Sequence, residues 1–106
     1  MEERLAHDVY FTLRDDSPAA REALVRSCHE ILRPIDGILQ LAAGNRIEEH
    51  QRDVNDGGYH VSLHVQFVDR AAHDAYQSCE AHDRFIEANH ENWAAVRVFD
   101  SWVTAS

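Results

Sequence analysis

Tyr59, Val61, Leu63, Val65 and Phe67 fall on one side of an extended chain, and His60, Ser62, His64 and Gln66 on the other. Unbroken alternation of this kind is the period-2 signature of a strand with one dry face and one polar face. Gly57-Gly58 opens the stretch, and Asp69-Arg70 leads from it into a helical pattern. The pattern predicts a central strand over residues 59–67, with the remaining elements arranged to cover its apolar side.

Taken in order, residues 5–14 alternate as well, with His7, Val9, Phe11 and Leu13 set against Asp8, Tyr10 and Thr12. Ser17 then stands as a helix N-cap with Pro18 at the first helical position. The helix that follows places Leu24, Val25, Cys28, Ile31 and Leu32 on one face. Pro34 stops it, and Asp36-Gly37 supplies a turn. Residues 38–44 read as a short second strand and residues 45–58 as a polar surface loop. After the central strand, Asp69 caps a helix carrying Ala72, Ala75 and Tyr76, and a second short helix carries His82, Phe85 and Ile86. Val96, Val98 and Asp100 alternate with Arg97, Phe99 and Ser101 in a last strand that Trp102-Val103 extends.

The order β-α-β-β-α-β predicts an α+β, ferredoxin-like protomer, a four-stranded antiparallel sheet with its helices on one face. The other face, carrying Tyr10, Leu39 or Leu41, Phe99 and Val103, is then bare. A homodimer joined through the sheets is the expected remedy.

Composition narrows the function classes. At 106 residues the chain supports one domain. A net charge of −9 with no basic run disfavours nucleic acid and anionic membrane surfaces as partners. All ten basic residues are Arg, so lysine Schiff-base chemistry is excluded. Met1-Glu2-Glu3-Arg4 lacks the character of a signal peptide, and no run is apolar enough to span a bilayer. Two cysteines, Cys28 and Cys79, suit a reduced cytoplasmic protein with packed thiols.

Several segments together resemble one family, the stress-responsive A/B-barrel (Dabb) domain. They are His7-Asp-Val-Tyr-Phe, Pro34-Ile-Asp-Gly-Ile, Gly58-Tyr59 with Val65-Gln-Phe67, Tyr76 with Ala81-His82-Asp-Arg-Phe85, and Val98-Phe99-Asp100, in order over residues 5–103. The resemblance implies a protomer that dimerises into an α/β barrel, with a pocket between sheet and helices and no cofactor. A plant branch of the family closes linear polyketides by aldol chemistry with a Tyr and a His that align with Tyr76 and His82. The family's first-strand His aligns with His7. Where the family often has His-Pro-x-His this chain has Cys79-Glu80-Ala81-His82, and Val61 stands where a further His is often found.

Tyr76 and His82 lie six residues apart, so they share a face only if the helix breaks between them, for which Cys79-Glu80 is placed. Over a cavity, His82 would act as base and Tyr76 as hydrogen-bond donor to a developing oxyanion; the alternative is that both simply pack. The expected pocket is lined by His7, Val9, Phe11 and Val25, by Leu63 and Val65, and by Phe85, Val96 and Val98. His29 and Trp93 stand at its margins, with surface and packing alternatives respectively, and Trp102 reads as a packing residue. His60 and His64 are separated by roughly 13 Å on a strand, too far for one ion with bonds of about 2.0–2.1 Å, so no metal site is expected. Three functions follow: a dimeric protein binding a small, largely apolar molecule; a cofactor-free cyclase, isomerase or monooxygenase acting beside a carbonyl; and a stress-related assembly protein without a ligand.

Overall fold

The computed structural model describes residues 1–106. In it the first strand, β1, runs Glu2–Leu13 and leads into helix α1, Pro18–Ser27. The Ser17 hydroxyl accepts from the Ala20 N–H at 3.2 Å, so the N-cap and the proline at the first turn sit as the sequence predicts. A wide helical turn, Cys28–Leu32, continues α1 and keeps Leu24, Cys28 and Leu32 buried before Pro34 ends it. Strand β2 spans Ile38–Asn45 and β3 spans Val61–Phe67. Helix α2, Arg70–Ser78, is capped by Asp69, whose Oδ1 accepts from the Ala72 N–H at 2.8 Å. Helix α3, Glu80–Asn89, follows after a one-residue break at Cys79, and strand β4, Trp93–Ala105, closes the chain.

The sheet order is β2-β3-β1-β4 with every pair antiparallel, which is the predicted ferredoxin-like arrangement. Cross-strand partners share a face. Phe11 therefore stands beside Val61 and Val96, Val9 beside Leu63 and Val98, and His7 beside Val65 and Asp100, all on the helix side. Val61, Val65 and Phe67 have no measurable exposure, so this face of β3 and β1 is the core.

Strand bounds and the facing of single residues differ from the sequence reading at several points. The central strand begins at Val61, and Tyr59 is not on its dry face: its ring lies 4.9 Å from that of Tyr10 on the opposite side of the sheet. The alternation therefore fails at its first two positions. His60 likewise leaves the polar face, and its Nδ1 accepts from the Leu13 N–H at 2.9 Å at the strand's end. Strand β4 is much longer than its alternating centre, because β1 pairs with it from Glu2 to Leu13. Leu41 lies beside Val65 on the helix side, whereas Leu39, at a register shift in β2, is exposed.

Gly37 makes the seat of α2 possible. Its φ of +89° is open to glycine, and a Cβ there would lie 2.5 Å from the Ala72 Cβ. The Gly37 carbonyl also accepts from the Val68 N–H at 3.0 Å, fixing the start of α2 against the entrance to β2.

The helices cover β2, β3 and β1 but leave the inner face of β4 open. Val96, Val98 and Trp102 are 39%, 49% and 56% exposed although they point to the helix side. Trp102 is thus not the packing residue its type suggests. This uncovered edge creates the site.

Candidate functional site

A pocket of ≈ 280 Å³ lies between β1, β4, α2 and α3. Its walls include Val9, Phe11, Leu63, Phe85, Val96 and Val98, as the sequence predicts, with Trp93 at one end. Phe11 holds Trp93 at a ring separation of 5.0 Å. Gln77 and Ile86, which the sequence did not single out, complete the lining. Three predicted members are elsewhere. Val65 is buried in the core, and Val25 packs against that core from α1. His29 is exposed, because the wide turn of Cys28–Leu32 carries it to the outside.

Besides Gln77, three polar ring side chains reach this mainly apolar space: His7, Tyr76 and His82. The break at Cys79, whose backbone is extended at φ −81° and ψ 158°, brings the last two together. Their rings lie 4.7 Å apart, and that of His7 lies 5.7 Å from Tyr76. Burial raises the Tyr76 phenol well above its ordinary range, with the Cys28 and Cys79 thiols adding to the effect. Tyr76 is therefore a neutral O–H donor across physiological pH. Burial lowers the pKa of His82, partly offset by Asp83, and so favours the neutral imidazole. Its Nδ1 is buried and has no hydrogen-bond partner within the chain.

His7 has the most developed surroundings. It is 6% exposed, and its Nδ1 lies 2.6 Å from Asp100 Oδ1 on the neighbouring strand. A carboxylate only accepts, so Nδ1 carries the hydrogen and Nε2 is the ring nitrogen left for a molecule in the pocket. His73, from α2, brings its Nε2 to 3.2 Å from His7 Nδ1, and the Gln77 amide nitrogen donates to His73 Nε2 at 3.1 Å. Burial lowers the pKa of His73, and the neighbouring His7 adds to this against Asp100.

The sequence reading missed Asp100, His73 and Gln77. Asp100 carried a signal: it occupies the apolar phase of β4, in step with Val96 and Val98, where a carboxylate needs a partner. His73 precedes Tyr76 by three positions and so shares its buried face. The other histidine pairs are separate. His64 Nδ1 meets Asp8 Oδ1 at 2.8 Å on the outer face, and His60 Nε2 meets Asp16 Oδ2 at 3.2 Å. Cys28 is buried, with its thiol pushed up to about 12 by desolvation, and both cysteines are free.

The sequence over residues 5–103 matches the family described as Stress responsive A/B Barrel Domain (Dabb). No curated protein matches it. Among solved structures, a Dabb family protein with a ferredoxin-like fold from Mesorhizobium loti is 21% identical, with a TM-score of 0.78 over 99% of this chain and 100% of that one. A dimeric ferredoxin-like protein of unknown function from Thermobifida fusca is 14% identical, with a TM-score of 0.78 over 97% and 93%. A hydroxynitrile lyase from Passiflora edulis is 11% identical, with a TM-score of 0.77 over 99% and 96%. At these identities the likeness is one of fold. No helix of the chain is long and apolar enough to cross a membrane.

Proposed function

The chain belongs to the stress-responsive A/B-barrel (Dabb) domain family, and on that premise we propose that it is a homodimer whose pocket binds a small, largely apolar, carbonyl-containing molecule and moves a proton on it. The observation that carries this reading is the convergence of His7, Tyr76 and His82 on an otherwise apolar cavity, with Asp100 behind His7 at 2.6 Å.

In this reading His7 Nε2 takes the proton. Asp100 fixes the tautomer that makes Nε2 the acceptor and stabilises the imidazolium that forms, the role a carboxylate plays behind a catalytic histidine. Tyr76, held neutral by burial, donates to the carbonyl oxygen as charge develops there. His82 supplies an unpartnered ring nitrogen beside Tyr76 and holds the bound molecule or passes on its proton. The sequence alone gave the base to His82. The proposal moves that role to His7 because Asp100 backs His7, whereas His82 Nδ1 has no partner. The cavity lies just below the roughly 300–1,000 Å³ usual for small-molecule sites, so the ligand is small. The hydroxynitrile lyase from Passiflora edulis is an instance of a lyase on this fold.

Self-association has its own support. Tyr10, Tyr59 and Phe99 form an aromatic cluster on the helix-free face, with Phe99 52% exposed. A second hollow on that face, ≈ 370 Å³ and bordered by Tyr10, Asp56, Arg97 and Phe99, would be enclosed by a second copy. The structural relatives include proteins described as dimeric.

The test is hydrogen exchange on simple ketones in D₂O, followed by proton NMR. The proposal expects α-hydrogen exchange that His7→Ala abolishes and that Val98→Phe, which fills the cavity, prevents by excluding the ketone. Ketone binding without exchange would leave a binding protein, and exchange unchanged in His7→Ala would remove His7 as base.

A further inference from the structure

We propose that His7, His73 and Asp100 form a binding site for one divalent transition-metal ion. Their ligand atoms lie within 4.8 Å of one another, and the two histidines are buried while the carboxylate is half exposed. The three separations are 2.6 Å for His7 Nδ1 to Asp100 Oδ1, 3.2 Å for His73 Nε2 to His7 Nδ1, and 3.9 Å for His73 Nε2 to Asp100 Oδ1.

Three ligands at about 2.1 Å from one ion stand roughly 2.9–3.4 Å apart, depending on whether the geometry is octahedral or tetrahedral. The observed separations bracket that range. Closing it requires the Asp100 carboxylate to move by about 0.9 Å, and Asp100 has that freedom as a half-exposed residue on an edge strand. His7 and His73 need not move. His7 is held in the sheet, and His73 is packed between the rings of His7 and Phe67 at 4.7 Å and 5.2 Å. Two of the three ligands are therefore fixed before any ion arrives, which lowers the cost of binding.

Two imidazole nitrogens and one carboxylate stand close together there. In the metal-free chain the His7 Nδ1 hydrogen serves Asp100 and the Gln77 amide serves His73 Nε2. A cation bound by all three takes the place of both hydrogens. The donor set is borderline-soft and suits Zn²⁺, Co²⁺, Ni²⁺ or Fe²⁺ over Mg²⁺ or Ca²⁺. The remaining coordination positions open onto a separate hollow of ≈ 330 Å³ bordered by Asp74, Gln77, Ser101 and Trp102, from which water reaches the ion. Only one such three-ligand group exists in the chain, since His64–Asp8 and His60–Asp16 each offer one nitrogen and one carboxylate.

Occupancy would alter the pocket next door. A metal on Nδ1 displaces its hydrogen and fixes the His7 hydrogen on Nε2, which makes His7 a hydrogen-bond donor to the pocket in place of a proton acceptor.

The experiment is titration of chelator-treated full-length protein with Zn²⁺ and, for the visible ligand-field bands, Co²⁺, with no organic molecule present. Metal binding is thus measured apart from any pocket ligand. The expected result is one ion per chain, no competition from Mg²⁺, and affinity reduced in both His73→Gln and half-exposed Asp100→Asn by more than the roughly 10–100-fold that loss of a supporting partner costs. His64→Gln, on the other face, serves as the control and binds as the parent does. Circular dichroism establishes that each variant is folded. Absence of stoichiometric zinc binding, or equal binding by the parent and both folded ligand variants, would overturn the site.

Discussion

The two faces of the sheet carry the same chemical pair in opposite surroundings. On the helix side His7 meets Asp100 at 2.6 Å; the histidine is 6% exposed, although the Asp100 side chain is 44% exposed. On the bare side His64 meets Asp8 at 2.8 Å, but the side chains are 44% and 30% exposed. Their separations differ little, so distance does not explain the different roles we assign. Water does. An exposed pair is screened and exchanges its hydrogen bonds with solvent, so its net contribution is small. A buried ring has no such alternative, and its partner fixes both its orientation and its tautomer. A functional histidine is distinguished here by what excludes water from it, and Phe67 and Tyr76 do this for His7, with ring separations of 6.2 Å and 5.7 Å.

The sharpest way to break the contrast is to remove an aromatic ring from each face. Phe67 is wholly buried against Tyr76 at 4.9 Å, so Phe67→Ala should cost about 3–5 kcal/mol in urea unfolding. Phe99→Ala on the exposed face should cost the separated chain less than about 0.5 kcal/mol. Its larger effect should be weaker self-association, read by light scattering at graded concentrations.

Gly37→Ala strikes the inner face through the backbone. It forces a Cβ to within 2.5 Å of Ala72 at a φ of +89°, for a cost of about 1–3 kcal/mol. It should also shift the NMR signals of His73 and Tyr76 on α2 while sparing those of His64. Equal loss without those shifts would mean that α2 is not seated on Gly37.

The faces should also separate by pH. Burial depresses the His82 pKa below its ordinary 6.5, so the unfolded chain binds that proton more readily than the folded one. Stability from this group is complete above the unfolded value and is lost as pH falls from about 6.5 toward the folded value. His82→Gln should therefore flatten the fall in urea midpoint between about pH 7.5 and pH 5.5. An unchanged slope would show that desolvation of His82 does not carry the effect. The smallest change expected is in Asp8→Asn, which should alter stability by less than about 1 kcal/mol and lose even that in high salt.

The fold was legible because its signals were local and repeated. Alternation in β1 and β3, the caps at Ser17 and Asp69, and the stop at Pro34 each act within a few residues. The errors came where a local rule met a distant constraint. Tyr59 continues the alternation of β3, but its ring packs on Tyr10 on the outer face. His29 has the spacing of an inward residue but takes the surface position that the sequence offered as its alternative. Trp102 has the character of a core residue, yet no helix covers the inner face of its strand. The pocket's apolar wall followed from strand phase alone. The His7–Asp100–His73 group did not, because it joins three elements across separations of 93 and 66 residues, which no spacing rule within one element can show.

The central claim is that the space beneath the open face of β4 is a ligand pocket within a dimer. Native mass spectrometry tests it most directly, with the protein incubated in turn with small aryl and alkyl ketones. The account predicts a dimer that gains one ligand mass per chain, and a Val98→Phe dimer that gains none. A monomer, or an adduct that persists undiminished in the folded Val98→Phe variant, would contradict it.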